Sequence, residues 1–258
     1  MIPIKSDSEI SQMRTVCQMA ATVLDEMVQA TDVGVTTYDL DQLGKKLMQE
    51  QGCASACYNY KNGSKIFPAH TCISVNEEIV HGIGRIEKTL EEGDVITLDV
   101  CCLHEGWVGD NARTIIVGQP RSEEDAYLVE HTRKALDAGI AAARPNKRVG
   151  DISYAIQQYL DRQKLGIIRD FVGHGVGHSM HEEPQIPNFG RRNTGPKLRA
   201  GMTLAIEPMV ALGSPQVDML EDGWTAVTRD RSSAAHSEHT VLITESGPEI
   251  LTVPKNHK

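Results

Sequence analysis

Long apolar runs are missing from this chain; none approaches the ~18 residues of a membrane span. Aromatic residues are scarce, 4% of 258 positions, and basic residues form no cluster. Nucleic-acid binding is therefore not expected, because it relies on cationic stripes and stacking rings. Basic side chains are outnumbered 35 to 26, a net charge of −9. Such an acidic surplus keeps a surface soluble, or gathers carboxylates that hold cations. The six cysteines (Cys17, Cys53, Cys57, Cys72, Cys101, Cys102) form no C-x-x-C pair. The opening Met1-Ile-Pro-Ile-Lys-Ser-Asp7 lacks the charged-then-apolar pattern of a signal peptide. Reduced, buried thiols in a cytoplasmic protein are the expectation. No tract rich in Pro, Gly or Ser divides the chain, and its length suffices to bury a core without disulfides. One compact unit is expected.

What is present has clear periodicity. Ile10, Met13, Cys17, Ala20, Leu24 and Met27 recur at steps of three and four, predicting a helix over 7–30 capped near Ser6 to Ser8. Leu40, Leu43 and Leu47 predict a second helix from Thr37 to about Glu50, stopped by Gly52. Val95–Leu103 and Trp107–Val117 read as strands of a hairpin turning at His104-Glu105-Gly106. Two more helices are expected, one after Ser122 and one near Gly150-Asp151, then strands around 202–211, 224–229 and 238–245. Strands mixed with helix pairs indicate an α+β or mixed α/β class, and helix–helix–hairpin followed by helix–helix–strands hints at two similar halves.

Four acids stand in strand-like surroundings, where acids are rare unless paired or metal-bound. With His104-Glu105 as the turn, Asp99 and Asp110 face each other directly on one side of the sheet. Two carboxylates that close repel unless one is protonated or a cation intervenes. Glu207 is embedded in the apolar run Met202–Val210, and Glu238 lies in the strand-like Ser237–Ile243. His174, His178 and His181 follow in the glycine-rich Phe171–His181 segment. Two Asp, two Glu and a His suit two divalent ions such as Mn, Fe(II), Co or Zn, which could share and activate a water. His131 and His257 read as surface residues and His104 as a turn residue.

These residues come in a specific order: Asn76-Glu-Glu-Ile-Val-His-Gly-Ile83; Asp99 and Asp110; Gly173-His-Gly-Val-Gly-His-Ser-Met-His-Glu-Glu-Pro184; Ile206-Glu-Pro-Met-Val210; Ser237-Glu-His-Thr240. The ordered set resembles the type I methionine aminopeptidases, metallopeptidases of the pita-bread fold. The resemblance covers nearly the whole chain. It implies an antiparallel sheet and helices in two pseudo-symmetric halves around a dimetal site, within a single catalytic domain spanning 1–258. It also implies a cytoplasmic monomer that meets nascent polypeptide N-termini near the ribosome. By the family pattern, Asp99 chelates one metal, Asp110 and Glu238 bridge both, and His174 and Glu207 complete the other. A hydroxide activated by both metals attacks the first peptide carbonyl. His181 meets the developing oxyanion, His81 hydrogen-bonds the scissile amide, and Glu207 shuttles the proton.

The family alignment places Phe67, Cys72, Met180 and Trp224 in the methionine pocket; sulfur and aromatic groups are adaptable partners for a thioether. Gly84 stands where the family often has Pro. The segment Tyr58–Ile66 is longer than in many members, which leaves open whether Tyr58 or Tyr60 reaches the pocket, and whether Cys57 does. Asn62-Gly63 is expected to turn. Three rivals share parts of this pattern. Prolidases and X-Pro aminopeptidases have the same five ligand types but normally an added N-terminal domain. Pita-bread binding proteins lose ligands, whereas all five types stand here. Two-metal phosphoesterases use similar donors, and spacing alone does not separate them.

Overall fold

A computed structural model describes residues 2–254. Four helices carry most of the regular backbone. Helix α1 spans Asp7–Ala30, where the Glu9 carboxylate accepts from the Ser6 N–H at 2.7 Å. Helix α2 spans Thr37–Gln51; the Thr36 hydroxyl caps the Asp39 N–H, and Gly52 ends the helix at φ 76°. Helix α3 (Glu123–Ala142) starts where the Ser122 hydroxyl accepts from the Asp125 N–H. Helix α4 spans Val149–Gln163. The expected boundaries hold to within two residues. Each helix buries one apolar face, α1 through Met13, Val16, Ala20, Leu24 and Met27.

All strand pairings are antiparallel. The first half centres on the hairpin of Val95–His104 and Trp107–Ile116, joined on its other edge by Cys72–Val75 and Ala54–Ser55. Helix α1 lies across both hairpin strands, and a Cβ at Gly109 would come 2.8 Å from the Val16 backbone. Glycine there permits the close approach. The second half holds a five-stranded sheet in the order Glu182–Ile186, Gly173–Gly175, Thr203–Ile206, His239–Ile243, Pro248–Ile250. Two three-stranded sheets flank it. One joins Ala234–His236, Met209–Ala211 and Gly166–Ile167; the other joins Val217–Met219, Ala226–Thr228 and Glu78–Val80.

The hairpin register differs from the expected one. His104 pairs with Trp107, so the turn is Glu105-Gly106. Both turn residues have positive φ, 49° and 80°. A two-residue turn of that hand matches the strand twist, which is why it prevails over the His104-Glu105 alternative. Asp99 therefore faces Ala112, and Asp110 faces Cys101. The two aspartates keep a common face but are diagonal neighbours, about 7–8 Å apart at the backbone rather than directly opposed. His104 is a strand residue whose Nδ1 reaches the Gly52 carbonyl at 2.9 Å.

The runs around the glutamates also differ from expectation. Met202–Val210 is two strands, Thr203–Ile206 and Met209–Ala211, interrupted at Glu207-Pro208. Pro208 has no N–H to continue the ladder. Glu238 likewise sits between Ala234–His236 and His239–Ile243. Neither glutamate lies within a strand. His174 does, in Gly173–Gly175, although its segment reads as a loop.

Candidate metal centre and substrate cavity

The two halves meet along a seam tied by two threonine hydroxyls. The Thr240 hydroxyl donates to the Asp110 carbonyl at 2.7 Å and accepts from the Asp110 N–H at 3.3 Å. The Thr114 hydroxyl donates to the His236 carbonyl at 2.6 Å and accepts from the His236 N–H at 2.9 Å. Midway, the Glu238 N–H donates to the Ala112 carbonyl at 2.9 Å. This stitching brings acids from both halves together.

Three overlapping groups of donor atoms result, each within 4.8 Å: Asp99, Cys101 and Asp110; Asp110, His174 and Glu238; Glu207, His236 and Glu238. All five residues expected to be ligands are therefore brought together. Among the described residues no lysine or arginine pairs with these four carboxylates. Burial pushes the Asp99, Asp110, Glu207 and Glu238 carboxyls well above the usual carboxylate range, and mutual repulsion raises Asp99 and Glu238 further. The Glu238 Oε1 atom has no hydrogen-bond partner. A buried, uncompensated cluster of this kind is stabilised by cations.

The histidines are arranged to match. The His174 Nδ1 lies 2.9 Å from the Gly175 carbonyl, which can only accept. Nδ1 therefore carries the proton, and the Nε2 lone pair faces Glu207 Oε1 at 3.3 Å and Asp110 Oδ2 at 4.0 Å. A fixed tautomer of this kind is what a metal-binding histidine requires. Burial pushes His174 down to about 3 and His81 down to about 4, so both rings are neutral at pH 7. The carboxylate-rich donor set, with one such imidazole, fits hard-to-borderline divalent ions.

A cavity of about 470 Å³ opens onto these groups. Phe67, Cys72, Met180 and Trp224 all line it, with Phe67 meeting Trp224 edge-on at 5.3 Å. His81 and His181 line it too, His81 edge-on to Phe171 at 5.4 Å. Tyr60 reaches the cavity, and its hydroxyl is 2.9 Å from His181 Nδ1. Tyr58 instead stacks on His70 at 4.3 Å and is exposed. Cys57 is buried in the cavity wall. The turn expected at Asn62-Gly63 falls one residue later, at Gly63-Ser64, because Asn62 pairs with Lys65 in the small hairpin of Lys61–Asn62 and Lys65–Ile66. His178 is exposed and stacks on Trp107 at 3.7 Å, outside the cluster. His131 is half-buried, with Nδ1 2.7 Å from the Tyr159 hydroxyl; His257 lies outside the described residues.

The profile of metallopeptidase family M24 matches residues 11–245. The chain belongs to metallopeptidase family M24. Within that family it groups with the methionine aminopeptidases. It is 43% identical to the methionine aminopeptidase of Clostridium acetobutylicum over 98% of this chain and 99% of that one. Methionine aminopeptidase 1 of Bacillus subtilis is 42% identical over 98% of this chain and 99% of its own. The crystal structure of the Thermotoga maritima methionine aminopeptidase superposes with a TM-score of 0.93 at 45% identity, covering 98% of this chain and 100% of that one. The prolidase of Pyrococcus horikoshii shares the M24 fold, with a TM-score of 0.77 at 22% identity; this chain covers 64% of it. The architecture is the α+β pita-bread fold of M24 proteins, and an M24 metallopeptidase works with divalent metal.

Of the two tyrosines the sequence leaves open, Tyr60 is the one in the cavity. Two further residues of this M24 site are not expected from the sequence. Cys101 places Sγ 2.8 Å from Asp110 Oδ1, a contact visible only in the observed register. His236 lies among the acids. Its signal is spacing: His236 precedes Thr240 by four residues, as Asp110 precedes Thr114.

Proposed function

We propose that this chain removes the N-terminal methionine from nascent proteins and peptides with a small second residue. One observation carries the reading. Asp99, Asp110, His174, Glu207 and Glu238 border the same cavity as the apolar set Phe67, Cys72, Met180 and Trp224. A hydrolytic centre thus adjoins a pocket suited to a thioether side chain. Asp99, Asp110, His174, Glu207 and Glu238 would hold two divalent ions, Co, Mn, Fe(II) or Zn. When bound, these ions supply Lewis acidity that eases water deprotonation and polarises the peptide carbonyl.

The protein's own groups do the rest. The apolar pocket takes the methionine side chain and excludes water around it. Glu207 accepts the proton of the attacking water and delivers it to the departing amine. His81, neutral because of burial, donates a hydrogen bond to the scissile amide. His181, oriented by Tyr60, donates to the carbonyl oxygen as negative charge develops there. Residues 1–258 act as a single catalytic domain, a monomer that meets chains emerging from the ribosome. Six free cysteines accord with a cytoplasmic setting. No described helix is long and apolar enough to cross a membrane.

The test is a metal-stripped enzyme given back Mn, Fe(II), Co or Zn separately and assayed on Met-Ala-Ser and Ala-Pro peptides. Restored cleavage of Met-Ala-Ser with Ala-Pro left intact supports the reading. Rapid X-Pro cleavage without methionine release overturns it.

A further inference from the structure

His236 has no part in the mechanism above, yet it is 2% exposed and neither of its ring nitrogens has a hydrogen-bond partner. Its Nε2 points at the acids, 3.5 Å from Glu207 Oε2 and 4.0 Å from Glu238 Oε2. An imidazole left this way costs free energy unless something takes its lone pair.

The seam says what that something is. Thr240 bridges the backbone of Asp110, and Thr114 bridges the backbone of His236, with Ala112 and Glu238 facing each other midway. The local twofold through that midpoint exchanges Asp110 with His236. One half places a carboxylate at that position, aimed at the centre. The other half places an imidazole there. We propose that His236 is a sixth protein donor of the centre, its Nε2 joining Glu207 and Glu238 in holding one divalent cation. Those three donor atoms lie within 4.8 Å of one another, close enough to share an ion. An imidazole from each side, His174 and His236, shifts the centre toward borderline metals such as Co, Fe or Zn over purely oxygen-seeking ones. The inference rests on the reading that these acids bind divalent ions at all.

The experiment loads the full chain with Co²⁺. X-ray absorption at the cobalt edge counts coordinated imidazoles, and calorimetry measures both binding steps. For the wild type, two imidazoles per two cobalt ions are expected. In His236→Gln the count falls to one, and one Co²⁺ binds at least about tenfold more weakly, the lower bound for loss even of an outer partner of a metal ligand. Wild-type protein that binds two Co²⁺ with one imidazole overturns the inference and leaves the metal centre standing. Unchanged imidazole count and affinity in His236→Gln overturn it in the same way. Wild-type protein that takes up no Co²⁺ overturns both readings. Because the wild-type count needs no variant, poor folding of His236→Gln does not remove the test.

Discussion

The two halves of the molecule deliver their acids to one centre by different means. The first half uses a regular hairpin of two ten-residue strands, in which Asp99 and Asp110 take their common face from simple alternation. The second half uses strands of two to five residues and places Glu207 and Glu238 at the breaks between them. A side chain on a continuous strand is restricted to one of two faces. A side chain at an interruption leaves that alternation and can be aimed across the seam. The hairpin supplies a fixed platform, and the breaks let the second half close over it.

The sharpest challenge to this comparison removes one acid from each half. Asp110→Asn and Glu238→Gln are both expected to lower kcat/KM by about a thousandfold, the equivalent of several kcal/mol of lost charge stabilisation. Steady-state kinetics on Met-Ala-Ser checks this; a large effect in only one half would show that the halves do not share the centre. Next in size, His81→Ala is expected to lower kcat by about 10² and leave metal stoichiometry unchanged. Calorimetry with Mn²⁺ beside the kinetics separates the two effects, and loss of metal would make His81 a ligand.

Chelation probes stability across the seam. Each cation at about a hundredfold its Kd adds roughly 2.7 kcal/mol, so two add roughly 5.5 kcal/mol. Removal of both should therefore lower Tm by about 10–20 °C, given ~2–4 °C per kcal/mol at this chain length. Scanning calorimetry of stripped and reloaded protein measures the shift. Gly106→Ala tests the hairpin alone. At φ 80° an added Cβ is strained, so urea unfolding should show about 1 kcal/mol of lost stability with a smaller change in kcat than at the acids.

A further expected effect concerns pH. The folded value of His81, about 4, lies below the ordinary 6.5, so the unfolded chain takes up this proton first as pH falls. The stability present above pH 6.5 is lost as pH falls through 4. His81→Gln should flatten that part of the profile in urea titrations of metal-free protein at pH 7, 6, 5 and 4, and an unchanged slope would contradict the buried neutral ring.

Legibility in the sequence followed the same division. Helices α1 and α2 are readable because their periodic apolar faces agree with the start signal at Ser6 and the stop at Gly52. The hairpin was readable as an element, but its register was not, since His104-Glu105 and Glu105-Gly106 turns serve the same alternation and only backbone twist separates them. The common face of Asp99 and Asp110 survived because the correction moved the pairing by two residues, which preserves parity. The five expected donors and the four pocket residues converge on one cavity because ordered motifs carry position as well as chemistry. In the second half, strands of three residues such as Ala234–His236 leave too little pattern to detect. Cys101 and His236 were hidden for a related reason. Cys101 sits in an apolar run that looks like ordinary core, and His236 in a short stretch of serine and alanine with no pattern of its own until the opposing strand is in place.

The hydroxyl bridges of Thr114 and Thr240 span 122 and 130 residues of sequence. Contacts of such separation close large loops and are expected late in folding, after local helices and the hairpin have formed. Until then Glu207 and Glu238 are solvated and far from the hairpin's Asp99 and Asp110, and the four acids do not yet crowd one another. A half-made chain is therefore a poor ion binder, and capture of metal reports that the C-terminal strands have docked.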